Sequence, residues 1–386
     1  MPKLLQINSF LNTGSSGRIV EQIGVLAIKN GFDSYIAGAR GFSESKSKII
    51  KVSNKLSIYL HVARTRILGN HLYGSKRSTK SFIKIIRRLN PDIIHLHNLH
   101  GYYLDFPLLF EYLKEIKIPI VFTMHDYWSF KPIPFKQYPK SCFFDKSEIE
   151  LAIKDGLFSH LENCVVTGVS KWIIKESNQS FLKRFKKKLI SNGVDIELFR
   201  PRKNINRILK KYNLSPNIKY LLTVGTTWTK SKGLSDYIQL SEKLPDNCRL
   251  IMVGVSRSLQ KQIPNRIKII ERTESQYELS ELYSISHALL CLSYNESFGL
   301  TPIEAMACGT PSIVYNNTGL QELVSQGIVE SVETGRLDHV LTKIEKIVKN
   351  ERGWCEKNSR ARAKKMYDYS QNYLKYIELY NNLLKA

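Results

Sequence analysis

Short apolar runs of strand length recur along the chain and alternate with amphipathic stretches. "KLLQINSF" (3–10), "SYIAGA" (34–39), "DIIHLHN" (92–98) and "PIVFTM" (119–124) are bounded by turn residues and read as strands. Between them, "GRIVEQIGVLAIKNG" and "FPLLFEYLKE" place apolar residues at helical spacing. "CVVTGVS", "KKLISNGV", "KYLLTVGT", "CRLIMVGV", "RIKIIE" and "HALLCLSY" continue the series. Most of these runs are apolar on both faces, as strands of a covered parallel sheet must be. The alternation predicts an α/β chain of doubly wound sheets. A second series starts at Tyr220 after the polar "RPRKNINRILKKYNLSPN" (200–217), so the boundary is expected near 198–218. At 386 residues the chain exceeds one ordinary core, and two domains are the natural reading.

In such folds ligands bind outside the carboxyl ends of the strands, so chemistry is sought in the residues that follow them. After the first strand comes "NTGSSGRIV", where Gly14 and Gly17 open a helix; a plain tight turn is an equal reading. After "PIVFTM" come His125 and Asp126, and after "YLLTVG" comes "TTWTKSKGL", with Lys230 and Lys232. After "ALLCLSY" comes "NESFGLTPIEAMACGTPSIV" (295–314). Here Thr301 and Pro302 read as N-cap and first helical residue, Gly309 as the stop, and Ser312–Tyr315 as the next strand. A glycine turn entering a helix N-terminus offers backbone N–H groups and a positive dipole end to an anion. Thr301-Pro-Ile-Glu304 also has the form of a capping box, which would make Glu304 a cap and nothing more. Glu296 lies outside the helix and escapes that reading.

His95 and His97 alternate along one strand and share a face. With His100 and His125 they could form a zinc site. An acceptor-pocket role and a purely structural role are the two competing readings.

Charge changes the picture. The formal net charge is +24, and from Ser45 to Pro91 twelve Lys and Arg occur with no Asp or Glu. Within that segment "KLSIYLHVARTRILGNHLYG" and "STKSFIKIIRRLN" mix large apolar and basic residues at helical spacing, and "FLKRFKKKL" (181–189) repeats the pattern. A basic amphipathic surface suits anionic lipid headgroups; a solvated basic face is the plainer reading, and nucleic acid is disfavoured. The six cysteines show no C-x-x-C pair, as expected of reduced thiols in the cytoplasm. The N-terminus does not read as a signal peptide, and no run of eighteen apolar residues predicts a membrane span.

Taken together, "NESFGLTPIEAMACGTPSIV" with its Glu296-x7-Glu304 spacing, "NTGLQELV", "SNGVD" (191–195), "TKSKGL" (229–234) and "FTMHDYWSF" (122–130) resemble the retaining glycosyltransferases of family 4. The likeness is to bacterial members that build capsule, O-antigen, lipopolysaccharide or exopolysaccharide. It implies the GT-B fold, two facing Rossmann-like domains with a cleft between them. Those domains are expected at 1–198 on the acceptor side and 199–369 on the nucleotide-sugar side, with a last helix at about 370–386 crossing back. It further implies that Glu304 holds the ribose, that Glu296 stands beside the transferring sugar, and that Phe298, Gly299 and Leu300 meet the diphosphate through their N–H groups. Lys232 would neutralise the leaving diphosphate, with Lys230 as a second positive charge where relatives carry an Arg. Gly14 and Gly17 would close on the donor, and His125 would lie near sugar and acceptor, with His97 and Asp126 on the acceptor side. The cysteine-rich segment that often follows "HD-W-F" is reduced to Cys142. The implied enzyme is a metal-independent hexosyltransferase with no cofactor. Its donor is a nucleotide diphosphate sugar, and its acceptor a lipid-linked glycan at the inner face of the cell membrane. The chain has no Asp-x-Asp for a metal-diphosphate site. A nucleotide-sugar epimerase of the same fold and a basic nucleic-acid-binding protein are the alternatives.

Overall fold

A computed structural model describes residues 1–69, 71–131, 147–349 and 353–385. The chain divides into two compact units, one of Met1–Ser191 together with Tyr373–Ala386, the other of Asn192–Asn372.

The first unit is built on β1 (Lys3–Ile7), β2 (Asp33–Gly38), β3 (Lys48–Lys51), β4 (Ile93–Leu96), β5 (Ile120–Met124), β6 (Cys164–Gly168) and β7 (Lys187–Leu189), in the order β3-β2-β1-β4-β5-β6-β7. The second holds β8 (Lys219–Val224), β9 (Cys248–Val253), β10 (Ile267–Ile270), β11 (Ala288–Cys291), β12 (Ser312–Tyr315) and β13 (Val329–Val332), in the order β10-β9-β8-β11-β12-β13. Every neighbouring pair is parallel. The apolar runs fill the central strands: Leu4, Leu5, Ile93 and Ile94 in one sheet, and Leu221, Leu250, Met252 and Ile313 in the other, have no solvent exposure. Both chains of strands wind outward from a point of reversal, between β1 and β4 and between β8 and β11. That is where a doubly wound sheet leaves its crevice.

Two strands escape the sequence reading. β3, "KIIK", is an edge strand with three of its four residues exposed, lying in the basic segment ahead of its helical stretches. β13, "VESV", is buried only at its two valines. The basic segment otherwise forms the helices Lys55–Leu68 and Lys76–Leu89. Ser57 and His61 of the first hydrogen-bond Ser75 at the start of the second, and Ser57 also reaches Ser78.

Candidate functional site

In the second unit, the residues singled out from sequence gather where the strand order reverses. β8 is followed by a short 3-10 turn, Lys230–Lys232, and β11 by the turn that carries Glu296. The backbone N–H of Tyr294 donates to the Ser231 carbonyl (2.9 Å), tying the two loops together. Lys232 Nζ then meets Glu296 Oε2 at 2.5 Å, with both side chains partly exposed. Lys230 is exposed.

The Glu296 turn is clamped from the β12 side. Glu296 N–H donates to Thr318 Oγ1 (3.1 Å), Gly319 N–H to the Glu296 carbonyl (2.9 Å), and Asn317 Nδ2 to the Ser293 carbonyl (3.1 Å). "NTGL" in "NTGLQELV" is therefore the brace of this turn. Gly319 is required because a Cβ there would fall 2.2 Å from the Ser297 carbonyl oxygen.

The helix Leu300–Ala307 begins two residues earlier than expected. Its N-cap is Gly299, in the left-handed conformation (φ 94°), in place of Thr301. A Cβ at Gly299 would press on Leu320 and Leu323, at 2.8 and 3.0 Å. With the cap at 299, Glu304 lies too deep in the helix to close a capping box, which needs its acid at the third helical position. It is 5% exposed and accepts from Tyr283 Oη at 2.7 Å. Tyr283, held on the helix Gln276–Ile285, was not flagged by the sequence reading. The N–H groups of Phe298, Gly299 and Leu300 stand at the helix start, where the helix itself supplies no acceptor. Glu296 and Lys232 thus pair in the turns that follow β11 and β8, and the helix that opens at Gly299 carries Glu304 on its buried side. This arrangement suits an anionic ligand that carries hydroxyl groups.

The first unit has its own polar line on a buried sheet. Gln6, on β1, is fully buried; its Nε2 donates to the Val20 carbonyl (3.0 Å), and its Oε1 meets His97 Nε2 (3.2 Å). His97 Nδ1 meets His125 Nε2 at 2.9 Å. His97 is 1% exposed, so it reaches a ligand only through half-buried His125. Burial pushes the His125 pKa down to about 4, and holds His95 and His97 well below the ordinary histidine value. All three are therefore neutral at pH 7.

His95 belongs to a structural network: Nδ1 lies 2.6 Å from Tyr380 Oη and Nε2 2.7 Å from Thr123 Oγ1, which also meets Tyr376 Oη at 3.0 Å. Both tyrosines come from the helix Leu374–Lys385, four residues apart on one face. Among the described residues no three His, Cys, Asp or Glu side chains group as metal ligands. Cys142 lies outside the described residues, and Cys164, Cys248, Cys291 and Cys308 are buried free thiols.

Asp126 accepts from His100 (3.2 Å) and from Trp128 N–H (2.9 Å). Behind this loop a buried group that the sequence did not reveal holds Trp128. Its indole N–H donates to His71 Nε2 (3.1 Å), His71 Nδ1 meets Glu150 Oε2 (3.0 Å), and Lys154 Nζ meets Glu150 Oε1 (2.5 Å) and donates to the Trp128 carbonyl (2.7 Å). Burial acts to raise the Glu150 pKa, but the His71 and Lys154 contacts outweigh it and bring the carboxyl down to about 2. Gly14 (φ 67°) opens the helix Gly14–Lys29. Gly17 lies against the Phe10 carbonyl, where a Cβ would stand 3.1 Å away.

Comparison with known proteins falls along the same division. Residues 18–198 match the family model described as Glycosyltransferase Family 4, and residues 204–367 match Glycosyl transferases group 1. The chain is 25% identical to the N-acetyl-alpha-D-glucosaminyl L-malate synthase of Bacillus anthracis, over 63% of this chain and 61% of that protein. It is 24% identical to the alpha-galactosylglucosyldiacylglycerol synthase of Streptococcus pneumoniae, over 74% of this chain and 79% of that one. The matched stretch thus spans under two thirds of the first relative and more of the second. Among solved structures, Anabaena HepE in complex with UDP-glucose superposes with a TM-score of 0.72 at 14% identity, covering 98% of this chain and 99% of that one. That likeness is one of fold.

Proposed function

The chain belongs to the glycosyltransferases, a family 4 half followed by a group 1 half on the GT-B fold, and on that premise we propose that it is a retaining hexosyltransferase working without a metal ion. The observation that carries the proposal is the Lys232–Glu296 pair beside the Gly299 helix start, with buried Glu304 behind it.

Each group then has a task. The Glu304 carboxylate accepts from the ribose hydroxyls of the donor. The N–H groups of Phe298, Gly299 and Leu300 and the ammonium groups of Lys230 and Lys232 take the diphosphate, whose growing charge such fixed positive groups stabilise. The bond from the anomeric carbon to the phosphate oxygen breaks as the acceptor oxygen bonds to that carbon on the same face. The acceptor proton passes to the departing phosphate. Within the second unit Glu296 stands beside an oxocarbenium-like sugar; in the first unit His125, Asp126 and the Gly14–Gly17 turn are the residues that the family resemblance assigns to sugar, acceptor and donor. The complex of HepE with UDP-glucose makes UDP the first nucleotide to try.

Thermal unfolding with UDP, GDP, ADP and TDP in EDTA tests the donor site. One nucleotide at a hundred times its dissociation constant should add about 2.7 kcal/mol, a rise of several degrees. Glu304→Ala should abolish that shift. No shift with any nucleotide would leave Glu304 a helix residue bound to Tyr283 and return the epimerase and nucleic-acid readings. Product analysis separates transfer from epimerisation.

The acceptor proposed is a lipid-linked glycan of a surface polysaccharide, met at the inner face of the membrane. On the helix Lys55–Leu68, Leu56, Tyr59, Leu60 and Ile67 are between 63% and 71% exposed, an outward apolar ridge. Lys55, Arg64 and Arg66 on the same helix, and Lys76, Arg77, Lys80, Lys84, Arg87 and Arg88 on the next, are exposed as well. An apolar ridge among cations fits an anionic bilayer better than nucleic acid, which offers no apolar layer to receive it. No helix among the described residues is long and apolar enough to cross a membrane. Each basic residue near an anionic surface contributes about 1 kcal/mol, so Lys80→Ala/Lys84→Ala should weaken binding to phosphatidylglycerol vesicles about 30-fold. Leu60→Ser, which removes apolar surface and leaves the charge alone, should weaken vesicle binding while leaving any DNA binding unchanged. Equal loss on vesicles and on DNA would mean that the ridge is not inserted.

A further inference from the structure

The line from Gln6 to His125 has a direction. The Val20 carbonyl can only accept, so the Gln6 amide must turn its NH₂ toward it and its oxygen toward His97. The reverse orientation would set two oxygens against each other at 3.0 Å. His97 Nε2, facing that oxygen at 3.2 Å, must then carry the proton. In a neutral ring this leaves Nδ1 as an acceptor, and among the described residues the group facing it is His125 Nε2, at 2.9 Å. His125 Nε2 must therefore be the protonated nitrogen, and Nδ1 keeps a lone pair with no partner among the described residues.

We infer that Gln6, acting through His97, is a positioning residue that fixes His125 as its Nε2–H tautomer and so presents Nδ1 as a hydrogen-bond acceptor to the hydroxyl groups of sugar or acceptor. The role in transfer rests on the glycosyltransferase reading; the tautomer does not. Gln6 lies on β1 opposite His95 of β4 in register, and His97 follows directly after the end of β4, at the point where the sheet order reverses. Both are buried, so their rings and amide are held in place by packing as well as by the hydrogen bonds. Other charged or titratable groups near His125 are Asp126, His100 and, through the ring stack with His97, His95. None of these contacts supplies a competing donor to His97 Nδ1.

The test is long-range ¹H–¹⁵N correlation of the histidine rings in the full chain at pH 7, with transfer kinetics alongside. Wild type should show His97 and His125 as Nε2–H tautomers. Gln6→Met removes the anchor and keeps the bulk, so His125 should become a mixture of tautomers. Its kcat should fall about 10- to 100-fold, the usual cost of losing an orienting partner behind a functional histidine, with the donor KM unchanged. Gln6→Glu should restore both readouts, because a buried neutral carboxylic acid can donate to Val20 and accept from His97. A wild-type spectrum with His125 protonated at Nδ1 would overturn the inference, even if no variant folds. So would a Gln6→Met enzyme whose tautomers or kcat do not change. A protein that shows the expected tautomers but no nucleotide-dependent transfer would support the relay and defeat the transferase reading.

Discussion

Glu296→Gln should lower kcat about 10²- to 10³-fold, the range seen when one preorganised electrostatic contact to a developing charge is removed. The donor dissociation constant should stay within a few-fold of wild type. The substitution keeps shape and removes charge. Glu296 is held by the Thr318 and Gly319 bonds to its backbone, which the change does not touch, so the turn should survive it. What is lost is the carboxylate opposite Lys232. In the proposed reaction that carboxylate faces a sugar whose positive charge peaks at the transition state, so its contribution falls mainly on kcat. Lys232→Ala should behave differently. The lysine meets the diphosphate in the ground state too, so donor affinity and kcat should fall together. Steady-state kinetics with nucleotide binding by calorimetry separates the two patterns. A Glu296→Gln enzyme with unchanged donor affinity and near-normal turnover would remove Glu296 from the mechanism.

Much of this architecture is legible from local pattern. Runs such as "CRLIMVGV" are apolar on both faces because both faces are covered, and they announce parallel strands without any tertiary information. The position of the crevice follows, since "TKSKGL" and "NESFGL" each sit just past such a run. Edge strands are less legible: "KIIK" has no second face to bury, and two apolar residues between lysines are too short a run to announce a strand. Helix starts depend on a single backbone angle, and the left-handed Gly299 outcompetes Thr301-Pro302 because Leu320 and Leu323 close over it. Least visible are the partners brought in over long separations. Glu150–Lys154 and Tyr376–Tyr380 are i,i+4 pairs that the sequence offers, but their partners, like Tyr283 against Glu304, are not: His95, Thr123, His71 and Trp128 are brought to them by the fold and not by the sequence neighbourhood. His95 and His97 share a face, but each spends its ring nitrogens on neighbours that only the fold supplies.

Those buried histidines should also make the first unit sensitive to mild acid. The unfolded chain takes up protons on His95, His97 and His125 near the ordinary value of about 6.5. In the fold, burial depresses all three, His125 to about 4. Between those values the unfolded state binds more protons, so stability rises with pH: it is complete above about 6.5 and is lost as the pH falls toward the folded values. A histidine that must stay neutral at pH 5 costs about 2 kcal/mol relative to pH 7. The burial of His95 and His97 acts in the same direction. Asp126 and Glu150 do not offset it, since their depressed values place their own losses at lower pH. Urea unfolding at pH 7 and pH 5, followed through hydrogen exchange of β4 and β5 amides, measures the first unit directly. His95→Gln should lower stability at pH 7, because it disturbs the Tyr380 and Thr123 bonds, yet reduce the loss between pH 7 and 5, because one buried ring that resists protonation is gone. If the first unit were equally stable at both pH values, these rings would have to be able to hold protons inside the fold. A neutral His125 with a fixed lone pair would then be untenable, and its place beside the sugar would have to be argued from a charged ring.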